Sequence, residues 1–291
     1  MPRDIPRTGR QPCARETELP IHFTVCLPWE HHHMPLEIIP GNGPLIITLP
    51  YTGTNMRREL VDRLYDKSRH ITSNDRYLDR LLGGLANDAT TIRTNFHRFV
   101  SDVDAVSMAS ELRAHNGLLG VVPLIDHDGT AIWSSPPTVD EARVWRALYF
   151  TPYHAALATQ IARVRAKYGH AIVLNCRARR AESMTAAEVP DIEFSTHLGA
   201  SCGVSLSAEL AALVKSASAH SVLVSGQLRT GWTTRQYGRP KANTHAFDLD
   251  VHENCYLTND GEVGHFDAEK VEPLRDTLRQ VMRHLGQWTP H

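Results

Sequence analysis

Short apolar runs bounded by glycine and proline alternate along this chain with stretches of helical spacing. Leu45-Ile46-Ile47-Thr48-Leu49 reads as a buried strand, set between the breaker Gly41-Asn42-Gly43-Pro44 and the loop Pro50-Tyr51-Thr52-Gly53. Ala171-Ile172-Val173-Leu174 reads as a second buried strand, and further strands are expected at 90–93, 96–103, 221–225 and 245–251. Residues 57–65 and 75–85 carry helical spacing, the latter with Leu78, Leu81, Leu82 and Leu85 on one face. Residues 138–168 read as a long helix interrupted near Pro152, and 206–214 as another. Leu274, Leu278, Val281, Met282 and Leu285 mark an amphipathic C-terminal helix. Strands alternating with helices predict an α/β sheet covered on both faces. Residues 1–42 hold seven prolines and little periodicity, so they read as an irregular arm outside the core, with one domain over 43–291. Chemistry in such sheets collects beyond the carboxyl ends of the strands, which singles out 50–53, 175–180 and the surroundings of Asp250.

Composition narrows the class. Lys and Arg number 31 against 32 Asp and Glu, so no bulk charge argues for a nucleic-acid partner or an anionic membrane. No apolar run approaches the roughly 20 residues of a membrane-spanning helix, so no membrane insertion is expected. The N-terminus shows no apolar signal core, and its arginines are mixed with Asp4, Glu16 and Glu18. The expected location is intracellular, in the cytoplasm, with a mitochondrial transit peptide as the alternative. Cys13, Cys26, Cys176, Cys202 and Cys255 are dispersed and odd in number, which fits reduced thiols.

Six segments, taken in order, resemble motifs of the N-formylglutamate amidohydrolase family. Pro50-Tyr51-Thr52-Gly53 looks like its P-H-x-G, and Asp75-Arg76-Tyr77-Leu78-Asp79-Arg80-Leu81 like its D-W-H-V-D-R-L. Arg98-Phe99-Val100-Ser101-Asp102 resembles R-Y-V-I-D, and Pro152-Tyr153-His154-Ala155-Ala156-Leu157 matches P-Y-H-x-x-L. Residues 231–240 resemble G-Y-x-T-R-x-Y-G-R-P, and His245-Ala246-Phe247-Asp248-Leu249-Asp250 stands where the family reads H-A-x-Q-L-E. The resemblance spans roughly 42–258. It implies a three-layer α/β/α domain with a mixed sheet, similar to zinc exopeptidases, and hydrolysis of a formamide. A metal cation would polarise the formyl oxygen and acidify a water, a carboxylate would move the proton, and arginines would hold the substrate's carboxylates.

The same resemblance places the family's metal ligands on Tyr51, Asp75 and Arg177, so two of three are no longer ligands of the family's kind. Tyr77 replaces a further histidine, and the expected base falls on Asp250, one methylene shorter than the family's glutamate. A catalytic zinc needs three neutral-imidazole, thiolate or carboxylate ligands. A guanidinium stays protonated, has no lone pair to donate and repels a cation. One like-charge pair at ~4 Å costs about 4 kcal/mol at an effective dielectric near 20, and a divalent ion roughly doubles that. The expected cofactor is therefore none, with zinc as the alternative. Arg177 is expected to stand in for the ion by pairing with Asp75 or Asp250, and Tyr51 and Tyr77 to fill part of the pocket.

Arg98, Arg180, Arg235 and Arg239 fall on arginine positions of the family's motifs; they are candidates for binding a small carboxylate, with ordinary ion pairing as the other reading. His31-His32-His33 reads as a solvated loop, because metal sites need fixed ligands. His154 reads as a hydrogen-bonded core residue. A Cys176–His245 dyad is conceivable but has no spacing rule behind it. The turn at Gly238 and Pro240 reads as a backbone requirement. Three functions follow: a family member that has lost hydrolysis and serves as a binding or structural subunit, its partner engaged through 1–42; an active deformylase or related amidohydrolase with a rebuilt metal site; or an anion- or metabolite-binding module without chemistry.

Overall fold

Neighbouring residues of the apolar runs face opposite sides of one sheet, and each side has its own helices. The structure, a computed structural model, describes residues 34–67, 73–105, 117–118, 120–126, 129–180, 189–217, 220–225, 230–258 and 264–290. Its strands are β1 (Leu36–Ile39), β2 (Leu45–Leu49), β3 (Thr90–Thr94), β4 (Gly117–Leu118), β5 (Val122–Pro123), β6 (Ala171–Arg179), β7 (Ile192–Ser195), β8 (Val222–Ser225) and β9 (Thr244–His252). Its helices are α1 (Arg58–Val61), α2 (Leu78–Leu82), α3 (Val139–Trp145), α4 (Thr151–Tyr168), α5 (Val204–Ala217), α6 (Trp232–Tyr237) and α7 (Ala268–Gln287). Seven strands form a mixed sheet in the order β1-β3-β2-β6-β9-β7-β8. The central strands β3, β2, β6 and β9 run parallel, while β1 and β7 pair antiparallel to their inner neighbours.

Leu45, Ile47, Leu49, Ile172 and Leu174 pack under α2, α5 and α7 against Leu78, Leu210 and Leu278. Ile46, Ala171 and Val173 point the other way, to Trp145 of α3 and Tyr153 and Leu157 of α4. That period-2 partition makes the three-layer α/β/α architecture. Among the described residues, no helix is long and apolar enough to cross a membrane.

Several elements differ from expectation. The 1–42 arm ends early: residues 36–39 form β1 on the edge of the sheet, Leu36 pairing with Thr94, because an edge strand tolerates the flanking Pro35 and Pro40. The rest of the arm to residue 33, with His31–His33, Cys13 and Cys26, lies outside the described residues. The strand expected at 96–103 is a run of turns after an isolated bridge between Asn55 and Phe96. There Asp102 Oδ1 accepts from Asp104 N at 3.0 Å, a local side-chain bond that competes with strand pairing. The helix expected over 75–85 covers only Leu78–Leu82, because Tyr77 adopts a left-handed backbone (φ 60°) and Gly83 ends the turn. Helix 138–168 runs through Pro152 unbroken. A π-helical turn over Arg146–Phe150 contains Leu148, whose carbonyl the proline ring would otherwise crowd. β7 escaped notice because its buried Glu193, which accepts from Arg179 at 2.8 Å, interrupts the apolar run.

Candidate functional site

The carboxyl ends of β2, β6 and β9 meet at a cavity of about 290 Å³, lined among others by Tyr51, Asp75, Arg98, Arg177, Arg180 and Asp250. Strand register brings the first pair together: Arg177 of β6 and Asp250 of β9 are direct cross-strand partners. Residues 175, 177 and 179 share a face of β6, as 248 and 250 share a face of β9, so this polar set continues the side of the sheet under α3 and α4.

Arg177 is the hub. Its Nε and Nη2 donate to the two carboxylate oxygens of Asp250, both at 3.0 Å. Nη1 donates to Asp104 Oδ2 at 3.1 Å, and Nη2 lies 3.0 Å from Asp248 Oδ2. Asn175 supports the cluster by donating to Asp104 (3.0 Å) and Asp248 (2.9 Å) while accepting from Thr48 (2.8 Å). Thr233 N donates to Asp104 Oδ1 at 2.8 Å and Thr234 Oγ1 to Asp248 Oδ1 at 2.7 Å, which ties α6 to the sheet. Burial alone pushes the guanidinium's pKa down, but Asp248, Asp250 and Asp104 together hold it well above its ordinary value. Burial raises the Asp104 carboxyl to about 6 against the opposing pull of Arg177, and raises Asp250 in the same way. One fixed cation thus sits among three carboxylates, two of them buried and that of Asp250 nearly so.

Asp75 does not join that ion pair. Its Oδ2 accepts from Ala178 N at 3.0 Å, and burial raises its carboxyl to about 7. Tyr51 donates its hydroxyl to Asp102 Oδ1 at 2.7 Å, and its burial, reinforced by Asp102 and Asp104, keeps the phenol protonated. The Arg98 guanidinium stacks 4.5 Å over the Tyr51 ring and reaches Asp102 at 3.4 Å. The two tyrosines therefore leave the cavity open, contrary to expectation. Tyr51 lies in its wall, and Tyr77 turns away to pack against Phe266 at 5.9 Å.

Of the four arginines expected to cradle a carboxylate, Arg98 and Arg180 line the cavity, and Arg180 is paired with Glu253 at 2.8 Å. Arg235 and Arg239 do not line it; they belong to the α6 segment, and Arg239 is exposed, donating to the Arg235 and Gly238 carbonyls. Gly238 meets a backbone requirement, since a Cβ there would come 2.4 Å from that of Ser201. His154 is a bonded core residue: Nε2 lies 2.8 Å from Val103 O and Nδ1 3.1 Å from the Tyr237 hydroxyl. The Cys176–His245 dyad does not form. Cys176 pairs with Leu249 and His245 with Ile172, four residues away along the strands, and Cys176 packs on the face of the sheet away from the cavity. Burial pushes its thiol well up.

A divalent metal does not fit this donor set. At the three positions where the resemblance places metal ligands stand a phenol committed to Asp102, one carboxyl and a guanidinium. Among the described residues, no group of three or more His, Cys, Asp or Glu side chains is placed to hold a metal ion. Sequence reasoning missed Asp104, Asp248 and Asn175. The signal for Asp248 was its spacing from Asp250, acids two apart that share a face of an extended strand, while Asp104 lies in a turn that this periodicity does not reach.

Comparison with known proteins gives a consistent result. The family model for N-formylglutamate amidohydrolase matches residues 43–257. An N-formylglutamate deformylase of Pseudomonas aeruginosa is 27% identical over 253 residues, covering 85% of this chain and 94% of that protein. A Pseudomonas putida protein of the same name is 24% identical with the same coverage. A crystal structure of N-formylglutamate amidohydrolase from Ralstonia eutropha superposes with a TM-score of 0.73 at 16% identity, covering 87% of this chain and 98% of that one. A gene product of Agrobacterium tumefaciens superposes at 0.65 and 12%, covering 87% and 95%. These two likenesses concern the fold.

Proposed function

The chain belongs to the N-formylglutamate amidohydrolase family, and from that premise we propose that it is a member without metal-dependent hydrolysis, acting as a binding or structural subunit. The observation that carries this reading is the Arg177 guanidinium, fixed by Asp104, Asp248 and Asp250 where the resemblance places a metal ligand. A guanidinium supplies the positive charge those carboxylates need, but it offers no open coordination position and acidifies no water. Asp250, the expected base, is occupied on both oxygens by the same group. The reading with a rebuilt zinc site has no donor set among the described residues to support it. The reading as an anion-binding module draws support from the cavity's arginines. Against it, Arg98, Arg177, Arg179 and Arg180 each already carry a carboxylate partner, so an anion would have to displace one.

We assign the partner of such a subunit to the proline-rich, aperiodic sequence of the 1–42 arm ahead of β1, because 36–39 are taken up by the sheet. The test is zinc content, together with formate release from N-formylglutamate, measured on untagged protein incubated with zinc. The expected outcome is no bound zinc and no formate above the uncatalysed rate. About one zinc per chain with formate release would sink the proposal.

A further inference from the structure

Beside the cavity described above, and sharing Asn74 with it, lies a second and larger one of about 430 Å³ at the carboxyl ends of β2 and β3. Thr52, Asn55, Asn74, Arg76, Arg93 and Asn95 are among its walls. Its volume falls in the range of small-molecule sites, and its position is that of ligand crevices in open α/β sheets.

What distinguishes it is hydrogen-bonding capacity left over after the fold is complete. Asn74 is 3% exposed, yet its Oδ1 has no donor among the described residues. Thr52 Oγ1 and Arg76 Nε are likewise out of contact with solvent and without a partner there. Buried polar atoms are nearly always paired, and leaving one unpaired costs about 1–3 kcal/mol. Three on one cavity's wall are unusual for a purely structural region. Arg93, Asn95 and Thr94 on this wall are committed. Arg93 is held by Glu37 and by Asp79 (2.8 Å), and Asn95 donates to Met34 O at 2.9 Å. Thr94 donates to Pro50 O at 3.0 Å. Among the described residues Arg76 pairs with no carboxylate, and its guanidinium lies 5.9 Å from the Tyr77 ring.

The backbone is also held in a form the chain would not choose by itself. Tyr77, on the wall between Arg76 and α2, sits at φ 60°, a conformation that costs an ordinary residue on the order of 1–3 kcal/mol. Gly53 allows the opposite wall to close up, because a Cβ there would lie 2.3 Å from Phe96 O.

We propose that this second cavity is a binding site for a small carboxylate that carries an N–H or O–H donor next to the carboxylate, such as an α-amino or α-hydroxy acid. The carboxylate takes the Arg76 fork, where planar geometry allows two bonds. The adjacent donor takes Asn74 Oδ1, and Thr52 completes the set. The carboxylate of Asp79 on the same wall is matched by Arg93, so it does not repel the ligand as a bare charge would. This goes beyond the reading of the first cavity and does not depend on it, because Arg76 and Thr52 line only the second.

The test is ligand-detected NMR titration of the full chain with L-alanine, L-lactate and propionate, the last keeping the carboxylate but lacking the donor. L-Alanine or L-lactate should bind saturably and propionate at least about tenfold more weakly, the factor expected for an unmet buried acceptor. Arg76→Met should abolish binding and Arg76→Lys weaken it, while Arg98→Met, in the first cavity, should leave it unchanged. Arg76 is partly exposed, so its variants keep the fold, and thermal melting checks that they and Arg98→Met do. The proposal is overturned if none of the probes binds, if propionate binds as well as the others, or if Arg98→Met rather than Arg76→Met removes binding.

Discussion

Arg177 is the residue on which the site turns, and its substitution separates a structural role from an idle one. Its side chain is only 15% exposed and faces the carboxylates of Asp104 and Asp248, both wholly buried, as well as Asp250. Removing it leaves buried acids without a counter-charge, a change that typically costs about 3–5 kcal/mol. Arg177→Ala should therefore lower the urea midpoint by roughly that free energy, and Asp250→Asn in the same chain should recover part of the loss. A melting curve unchanged in Arg177→Ala would mean the cluster is not held as described. Arg177 was legible in the sequence as a cation at a ligand position, and Asp250 as its neighbour. Asp104 and Asp248 were not, because three acids converge on one cation only through strand register and a turn 73 residues upstream. Of the two acids expected to pair with Arg177, Asp250 does and Asp75 does not: composition places acids near a cation, but the Ala178 amide claims Asp75.

At the level of elements, α4 and α6 are joined to the turn at Val103 through a single imidazole. His154 is 8% exposed, bonded on both nitrogens, and has its ring 4.5 Å from that of Trp232. Burial lowers its pKa to about 4. In the unfolded chain it titrates near ~6.5, so between those values the unfolded state binds the extra proton and stability falls as the pH drops. Between pH 7 and pH 5 this one residue should remove roughly 2 kcal/mol. His154→Gln, which cannot protonate, should lose correspondingly less over that interval when urea midpoints are compared at the two pH values. An equal loss in both proteins would show that the imidazole is not held neutral. The long helices, β2, β6 and β9 were readable because their apolar positions repeat at 3.6 or run unbroken. Elements decided by tertiary bonds were not: β7 hides a buried Glu193, 96–103 is diverted into turns by its own aspartates, and α2 starts only after the left-handed Tyr77 and ends at Gly83 although its apolar spacing runs on to Leu85.

For the whole molecule, the family's fold is kept, and on the proposed reading a guanidinium supplies the charge at its centre, an exchange that is reversible in principle. If Tyr51 and Arg177 occupy the ligand positions beside Asp75, then Tyr51→His with Arg177→His gives back two imidazoles and a carboxylate, the minimum for a catalytic zinc. The double variant without metal loses the cation that Asp104, Asp248 and Asp250 share, so it should melt well below the wild type. A divalent ion restores that charge, and at roughly 1,000 times its dissociation constant a ligand adds about 4 kcal/mol of stability. The expected result is one zinc per double-variant chain with a melting temperature that climbs with zinc, and a wild type indifferent to the metal. Arg177→His alone should respond far less, since the Tyr51 hydroxyl stays on Asp102 and only two ligands are present. A double variant that takes up no zinc would place the ligand positions elsewhere in the chain and leave the proposed loss of hydrolysis without its physical cause.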